Sequence, residues 1–190
     1  MPIIQHLGRT VKEYTETGKK KVEELINKNA ILCERCLKAM KRHSSYNRKI
    51  KETGETLTII MVWCKECKIW HALLPDFMLP NKHYSGNEIE SVIIDSETCD
   101  VNEIETEASE GTVRRWIKEI SDKIRRSVSI LKYIFKRCGK AISEIAIEAG
   151  SAYSELEQVL GLAPVAIKYS GNKLGLANLW LGTNEVKAYI

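Results

Sequence analysis

The sequence predicts an α+β protein: an N-terminal zinc ribbon, in which a β-hairpin carries two Cys-x-x-Cys knuckles, followed by a mainly α-helical helix-turn-helix domain and a helical tail. Three observations predict it. Cys33/Cys36 and Cys64/Cys67 form two Cys-x-x-Cys pairs, and the 27 residues between them read as two strands around a turn. Four thiolates gathered by a hairpin make a closed tetrahedral site suited to Zn²⁺. Downstream, an apolar stripe recurs at 3.6-residue spacing through Val113, Trp116, Ile117, Ile120, Ile124, Val128, Leu131, Ile134 and Phe135, with cations on the opposite side.

Residues 1–30 form a lysine-rich lead-in (Lys19, Lys20, Lys21) in which Val22, Leu25 and Ile26 share helical spacing. A helix packed on the ribbon and a mobile basic arm both fit. Residues 31–81 are the ribbon. His43–Ile50 leads into a turn centred on Thr53-Gly54, and the return run Thr56–Trp63 is rich in the β-branched and aromatic residues that suit a strand. Pro75–Pro80, with a proline at each end, reads as a rigid, extended connector.

Residues 82–138 are the helix-turn-helix region. Ser85-x-x-Glu88 has the form of a capping box, and the helix it starts, to about residue 97, buries Ile89, Val92 and Ile93. An Asp100-led start predicts a second helix over 101–108, with Val101, Ile104 and Ala108 on one face. Ser109 is the expected N-cap of the third, longest helix, which carries the stripe. In residues 139–190 a helix is expected over 141–149, and another from Ser154-x-x-Glu157 to Gly161. The tail from Ala163, with Gly171, Gly175, Gly182 and Trp180, is apolar enough to pack against something.

No run approaches the ~20 apolar residues that span a bilayer, and the N-terminus lacks the apolar stretch and cleavage site of a secretory signal. The chain is therefore expected in the cytoplasm, at the nucleoid, where reduced thiols favour metal over disulfides. Cys99 and Cys138 read as ordinary thiols. Net charge is +4, but residues 111–140 hold ten Lys/Arg against two Asp/Glu, while residues 61–110 hold three against eleven. A polyanion suits so basic a block.

The expected metal ligands are Cys33, Cys36, Cys64 and Cys67, holding one structural Zn²⁺. His43 or His71 could each replace a cysteine. The expected DNA contacts are Ser109, Thr112, Arg114, Arg115, Lys118 and Arg125, with Lys41, Arg42, Arg48 and Lys49 of the ribbon adding to them. Arginine near a recognition helix N-terminus can grip guanine bidentately, and Ser or Thr can reach phosphate. Double-stranded DNA is the expected partner, with a transposase or other protein as a second and a homodimer open. A ligand-free three-helix bundle is the plainer reading of this region, and a protein-interaction module is the rival function. No Ser/His/Asp order, phosphate-cradling glycine loop or His-Glu-x-x-His is present, and Asp76, Asp95 and Asp100 lie in no nuclease-like context, so no enzyme is expected.

Ser109-x-x-Thr112-Val113-Arg114-Arg115-Trp116 resembles a common opening of recognition helices, although Thr106-Glu107-Ala108 lacks the glycine usual in the preceding turn. With Ile3-Ile4-Gln5-His6, Val11–Thr15, the two knuckles, His43–Arg48, His71–Pro75 and Pro80-x-Lys82-x-Tyr84-Ser85, the chain resembles a group of small bacterial proteins carried with insertion sequences, some labelled transposase-like. The resemblance covers roughly residues 1–130. It implies a metal-stapled DNA-binding unit tied to mobile DNA, and no chemistry.

Overall fold

The expected return strand forms as β3 (Thr56–Cys64) and pairs antiparallel with β2 (Lys41–Lys49), in register from Lys41↔Trp63 to Lys49↔Thr56 with a bulge at His43. This computed structural model describes residues 2–139, 151–163 and 172–183. Two further strands, absent from the sequence prediction, complete a four-stranded sheet. β4 (Ile69–Pro75) runs antiparallel to β3, and β1 (Ile3–Gln5) lies parallel to β4, giving the order β1-β4-β3-β2. β3 is an inner strand, and both of its faces are covered, with Leu57 and Ile59 buried on one and Ile60 and Val62 on the other, which accounts for a sequence apolar on both faces rather than alternating.

The lead-in is a docked helix. α1 (Val11–Glu13) continues through a π-helical turn at Tyr14–Gly18 into α2 (Lys19–Asn27), and the Thr10 hydroxyl caps its start by accepting from the Glu13 N–H. Tyr14 is fully buried and its hydroxyl donates to the Thr58 carbonyl. Gly18 is required by this docking, since a Cβ there would sit 2.2 Å from the Leu7 carbonyl oxygen. Lys20 and Lys21 stay exposed.

The stretch 75–80 is not an extended connector. The Met78 N–H donates back to the Pro75 carbonyl, and Phe77, Met78 and Leu79 are all buried. Three large apolar side chains between the prolines make burial outweigh extension.

Beyond it, α3 (Gly86–Asp95) starts at Ser85, whose hydroxyl accepts from the Glu88 N–H, and buries Ile89, Val92 and Ile93 as expected. The helix expected over 101–108 does not form; that stretch is turn and bend. Polar side chains there bond the backbone or neighbouring chain instead: Glu103 accepts from the Asp100 N–H, the Thr106 hydroxyl accepts from the Ala108 N–H and itself donates to Glu88. Such local bonds compete with a helical ladder. Ile104 is nevertheless buried, with Val101 and Ala108 packed beside it.

α4 (Glu110–Arg137) begins at the predicted N-cap Ser109 and buries the predicted stripe, with Ile117 half-buried. α5 (Ala152–Gly161) ends where predicted but is capped one turn earlier, by Ser151 rather than Ser154. The helix expected over 141–149 lies outside the described residues. α6 (Lys173–Thr183) answers what the tail packs against: Leu174, Ala177, Trp180 and Leu181 join the helical core, while Leu179 joins the core beneath the sheet. The buried Glu90 carboxylate accepts from the Leu174 N–H at the start of α6 and from the Tyr153 hydroxyl. Among the described residues, no helix is long and apolar enough to cross a membrane.

Candidate functional site

The two knuckles are built alike. After Cys33 the Leu37 N–H returns to the Cys33 carbonyl at 2.8 Å, and after Cys64 the Lys68 N–H returns to the Cys64 carbonyl at 3.0 Å. Leu37 and Lys68, each directly after the second cysteine of its pair, are left-handed with φ of 56°. A single left-handed residue reverses the chain tightly enough to point both sulfurs inward, at a cost that non-glycine residues normally avoid. The Leu32–Ala39 bridge closes the first loop and the Cys64–Ile69 pair closes the second.

This brings all four sulfurs within 4.8 Å of one another, with Cys36 and Cys64 Sγ 3.5 Å apart. A Zn–S bond of about 2.3 Å gives a tetrahedron with edges of about 3.8 Å. The cluster matches that size, and no pair is bonded as a disulfide. Cys33 and Cys64 are buried, Cys36 and Cys67 half-buried.

The electrostatics agree. The Cys67 backbone N–H, which reaches Cys64 Sγ at 3.4 Å, leads in holding the Cys64 thiol down to about 7. The Cys36 sulfur, with burial next, pushes the Cys67 thiol up to about 12. Four sulfurs this close cannot all ionise unless a cation shares the charge, and a divalent ion supplies it. The chemistry of the donor set therefore fits a metal, and four sulfurs are enough to fill a tetrahedral shell. Neither histidine joins the group. His71 is buried in β4 opposite Val62, and His43 stands edge-on to the Trp63 and Trp70 rings.

The predicted DNA-contact residues lie on the outward side of α4, away from its apolar stripe. Arg114, Arg115, Lys118 and Arg125 are exposed, as is Arg126. Ser109, Thr112 and Arg115 come together: the two hydroxyls are 3.0 Å apart, and Arg115 Nη2 lies 3.4 Å from Thr112 Oγ1. Arg125 stands apart, ten residues or about 15 Å further along the helix. Arg114 is paired with Glu110 at 2.6 Å and Arg125 sits 3.9 Å from Asp122, both exposed pairs that contribute little. Among the described residues, no carboxylate lies within ion-pair distance of Arg115, Lys118 or Arg126.

On the sheet, Lys41 and Lys49 are exposed and Arg42 pairs with Glu23. Arg48 is a correction. It is buried and donates to the Leu79 carbonyl at 2.9 Å, so it ties β2 to the turn after β4 and is no surface contact. Lys51, Lys82 and His83, which the sequence did not mark as DNA contacts, line a cavity with Thr112 and Arg115. Only the fold joins them.

Residues 33–116 match the model of a family described as a domain of unknown function, DUF6431. The match runs from the first metal-site cysteine to the Trp116 that packs against Tyr84, so it takes in both knuckles, the β2–β4 meander, α3 and the first turns of α4. No curated protein and no solved structure matches the chain.

Proposed function

We propose that the protein is a zinc-stapled binder of duplex DNA. In this reading the β2–β3 hairpin and its knuckles are a zinc ribbon, and α3 and α4 serve as the two helices of a helix-turn-helix-like unit. The observation that carries it is the outward face of α4: five exposed cations over four turns, three of them free of carboxylate partners among the described residues. The first turn also presents the Ser109 and Thr112 hydroxyls, and a helix N-terminus favours phosphate. The metal holds the sheet; it takes part in no turnover. An accessory or regulatory role in mobile DNA is part of the proposal and rests on the family resemblance alone.

A salt-titrated binding assay on duplex DNA tests it. About five phosphate contacts give log affinity a slope against log salt of roughly −4 to −5. Reversing charge at Arg114, Arg115 and Lys118 together is expected to flatten that slope to roughly −2 and to weaken binding on the order of 100-fold with the fold intact. A wild-type slope near zero removes duplex binding.

The second reading is an adaptor that docks on a transposase or on transcription machinery. It draws on Leu32 and Leu37, 48% and 58% exposed beside the first knuckle. Duplex binding unchanged by the charge reversal favours it.

A further inference from the structure

Two cavities share a rim. One, about 580 Å³, takes Tyr46, Asn47, Lys49, Trp70, Asn81 and His83 among its walls. The other, about 390 Å³, takes Lys51, Lys82, His83, Thr112, Arg115 and Trp116. Asn81 and His83 belong to both, so a groove runs from the open side of the sheet to the first turns of α4. Asn81 holds a left-handed backbone, φ 60°, at that shared rim.

The groove is aromatic at one end and basic along its length. Trp70, in the middle of a strand, is 54% exposed, and Tyr46 is 42% exposed. Trp63 lies against Trp70 across the strands, ring centres 4.8 Å apart, and His43 meets both rings edge-on at 6.0 and 6.2 Å. This aromatic cluster fixes the Trp70 ring while more than half of the residue stays open to solvent. Lys49, Lys51 and Arg115 are exposed, with Lys51 positioned 5.6 Å from the centre of the Tyr84 ring. Glu119 is the one carboxylate among the lining residues, and Lys82 and Lys123 already neutralise it, each at 2.7 Å.

A ring held by its neighbours and more than half exposed, followed by a line of cations, is the chemistry that an unpaired nucleotide strand satisfies. Bases stack on the ring and phosphates follow the charge. A duplex hides its base faces and cannot use Trp70. An apolar peptide would offer nothing to the charges of Lys49, Lys51 and Arg115. We infer that this groove binds single-stranded DNA, with a base stacked on Trp70 and phosphates at Lys49, Lys51 and Arg115. The stacking stands apart from the duplex reading, while Arg115 serves both; the choice of DNA over RNA rests on that reading, because the groove ends at the turns of α4 assigned there to duplex phosphates.

The test is fluorescence anisotropy of the full chain with a labelled oligothymidylate of about ten nucleotides, within the range that single-strand sites cover. Parallel arms use an abasic strand of equal length, an oligouridylate, and a duplex. Trp70→Ala is expected to weaken oligothymidylate binding roughly 5- to 150-fold, Trp70→Phe to restore most of it, and the abasic strand to be bound as weakly by wild type as oligothymidylate is by Trp70→Ala. Lys49→Ala, at an exposed strand position, is expected to lower the salt slope by about 0.7 and stands in should Trp70→Ala fail to fold. Duplex affinity is expected to stay within about twofold of wild type in Trp70→Ala. Equal binding of abasic and thymidine strands, an unchanged Trp70→Ala, or a preference of about tenfold for oligouridylate each overturns the inference. Loss of duplex binding with oligothymidylate binding kept overturns only the earlier reading of α4.

Discussion

The sheet half and the helical half of this protein are held by different physics. The sheet core gathers residues from Ile4 to Met78, with Leu179, around β3 and beneath α2, and four thiols stand at one end of it. The helical core gathers Leu79 to Leu181, and its order comes from the stripe on α4 meeting α3, α5 and α6. Both halves have an apolar core, of eighteen and twenty-two buried residues, in which each large side chain contributes about 1.5–3 kcal/mol; the first half adds four thiols placed to hold a metal. The difference separates what removing the metal should break from what it should spare.

The largest expected effect comes from the metal. Structural Zn²⁺ binds such sites with about 10–16 kcal/mol, comparable to the whole stability of a domain. Elemental analysis of protein purified under reducing conditions is expected to give one zinc per chain. Chelation, or Cys64→Ser, is expected to red-shift the emission of Trp63 and Trp70 and to expose the amides of β2–β4 to exchange, while α4 keeps its protection. Simultaneous loss of both halves would show one cooperative unit instead of two. Protein that carries no metal and melts unchanged with chelator removes the staple altogether.

The next effect tests how the halves are joined. α6 contributes to both cores, and Gly175 lies so close to the turn after β4 that an added Cβ would stand 2.0 Å from the Asp76 carbonyl oxygen. A backbone atom cannot step aside as a flexible side chain can, so Gly175→Ala is expected to cost about 3 kcal/mol, read as a lower denaturant midpoint. Gly111, in the first turn of α4, meets nothing within 4 Å. Gly111→Ala is expected to raise stability by about 0.5–1 kcal/mol through helix propensity alone. Equal responses of the two variants would mean that α6 does not bridge the halves.

What the sequence disclosed follows the same division. The knuckles and the hairpin were legible because cysteine spacing and a Thr53-Gly54 turn are local signals. α4 was legible because its period runs through many turns. β1 was not: three residues pair with β4 some seventy positions away, and no local pattern announces that. The failed helix over 101–108 had the right spacing, yet its Glu103 and Thr106 side chains found backbone partners first. α6 is apolar nearly all round, which gives no face to read and is what a helix wedged between two cores requires. Arg48 looked like surface charge because burial of a guanidinium depends on a carbonyl, that of Leu79, supplied thirty-one residues later. The groove was invisible for a similar reason, since Trp70, Lys49 and Arg115 meet only in the fold.

The last comparison separates the halves by the sign of their titration. Burial holds the Asp76 carboxyl up, to about 6, although His6 Nδ1 stands 2.9 Å from it and favours the charged form. An acid whose pKa is raised by folding binds its proton more tightly folded than unfolded, so its contribution is full below about pH 4 and is lost as pH rises to about 6. The shift corresponds to about 3 kcal/mol. Glu119 is the opposite case: Lys123, then Lys82, hold it down to about 2, so its contribution is present above about pH 4.5 and is lost as pH falls toward 2, weakened by its partial exposure. Denaturant titrations across pH 3–7 are expected to show Asp76→Asn gaining on wild type as pH rises from 4 to 6, and Glu119→Gln gaining as pH falls below 4. Because the readout is the change of slope, a constant loss from either substitution does not hide it. Parallel pH profiles for Asp76→Asn and wild type would mean that Asp76 is solvated, and that α6 does not seal the turn between the two cores.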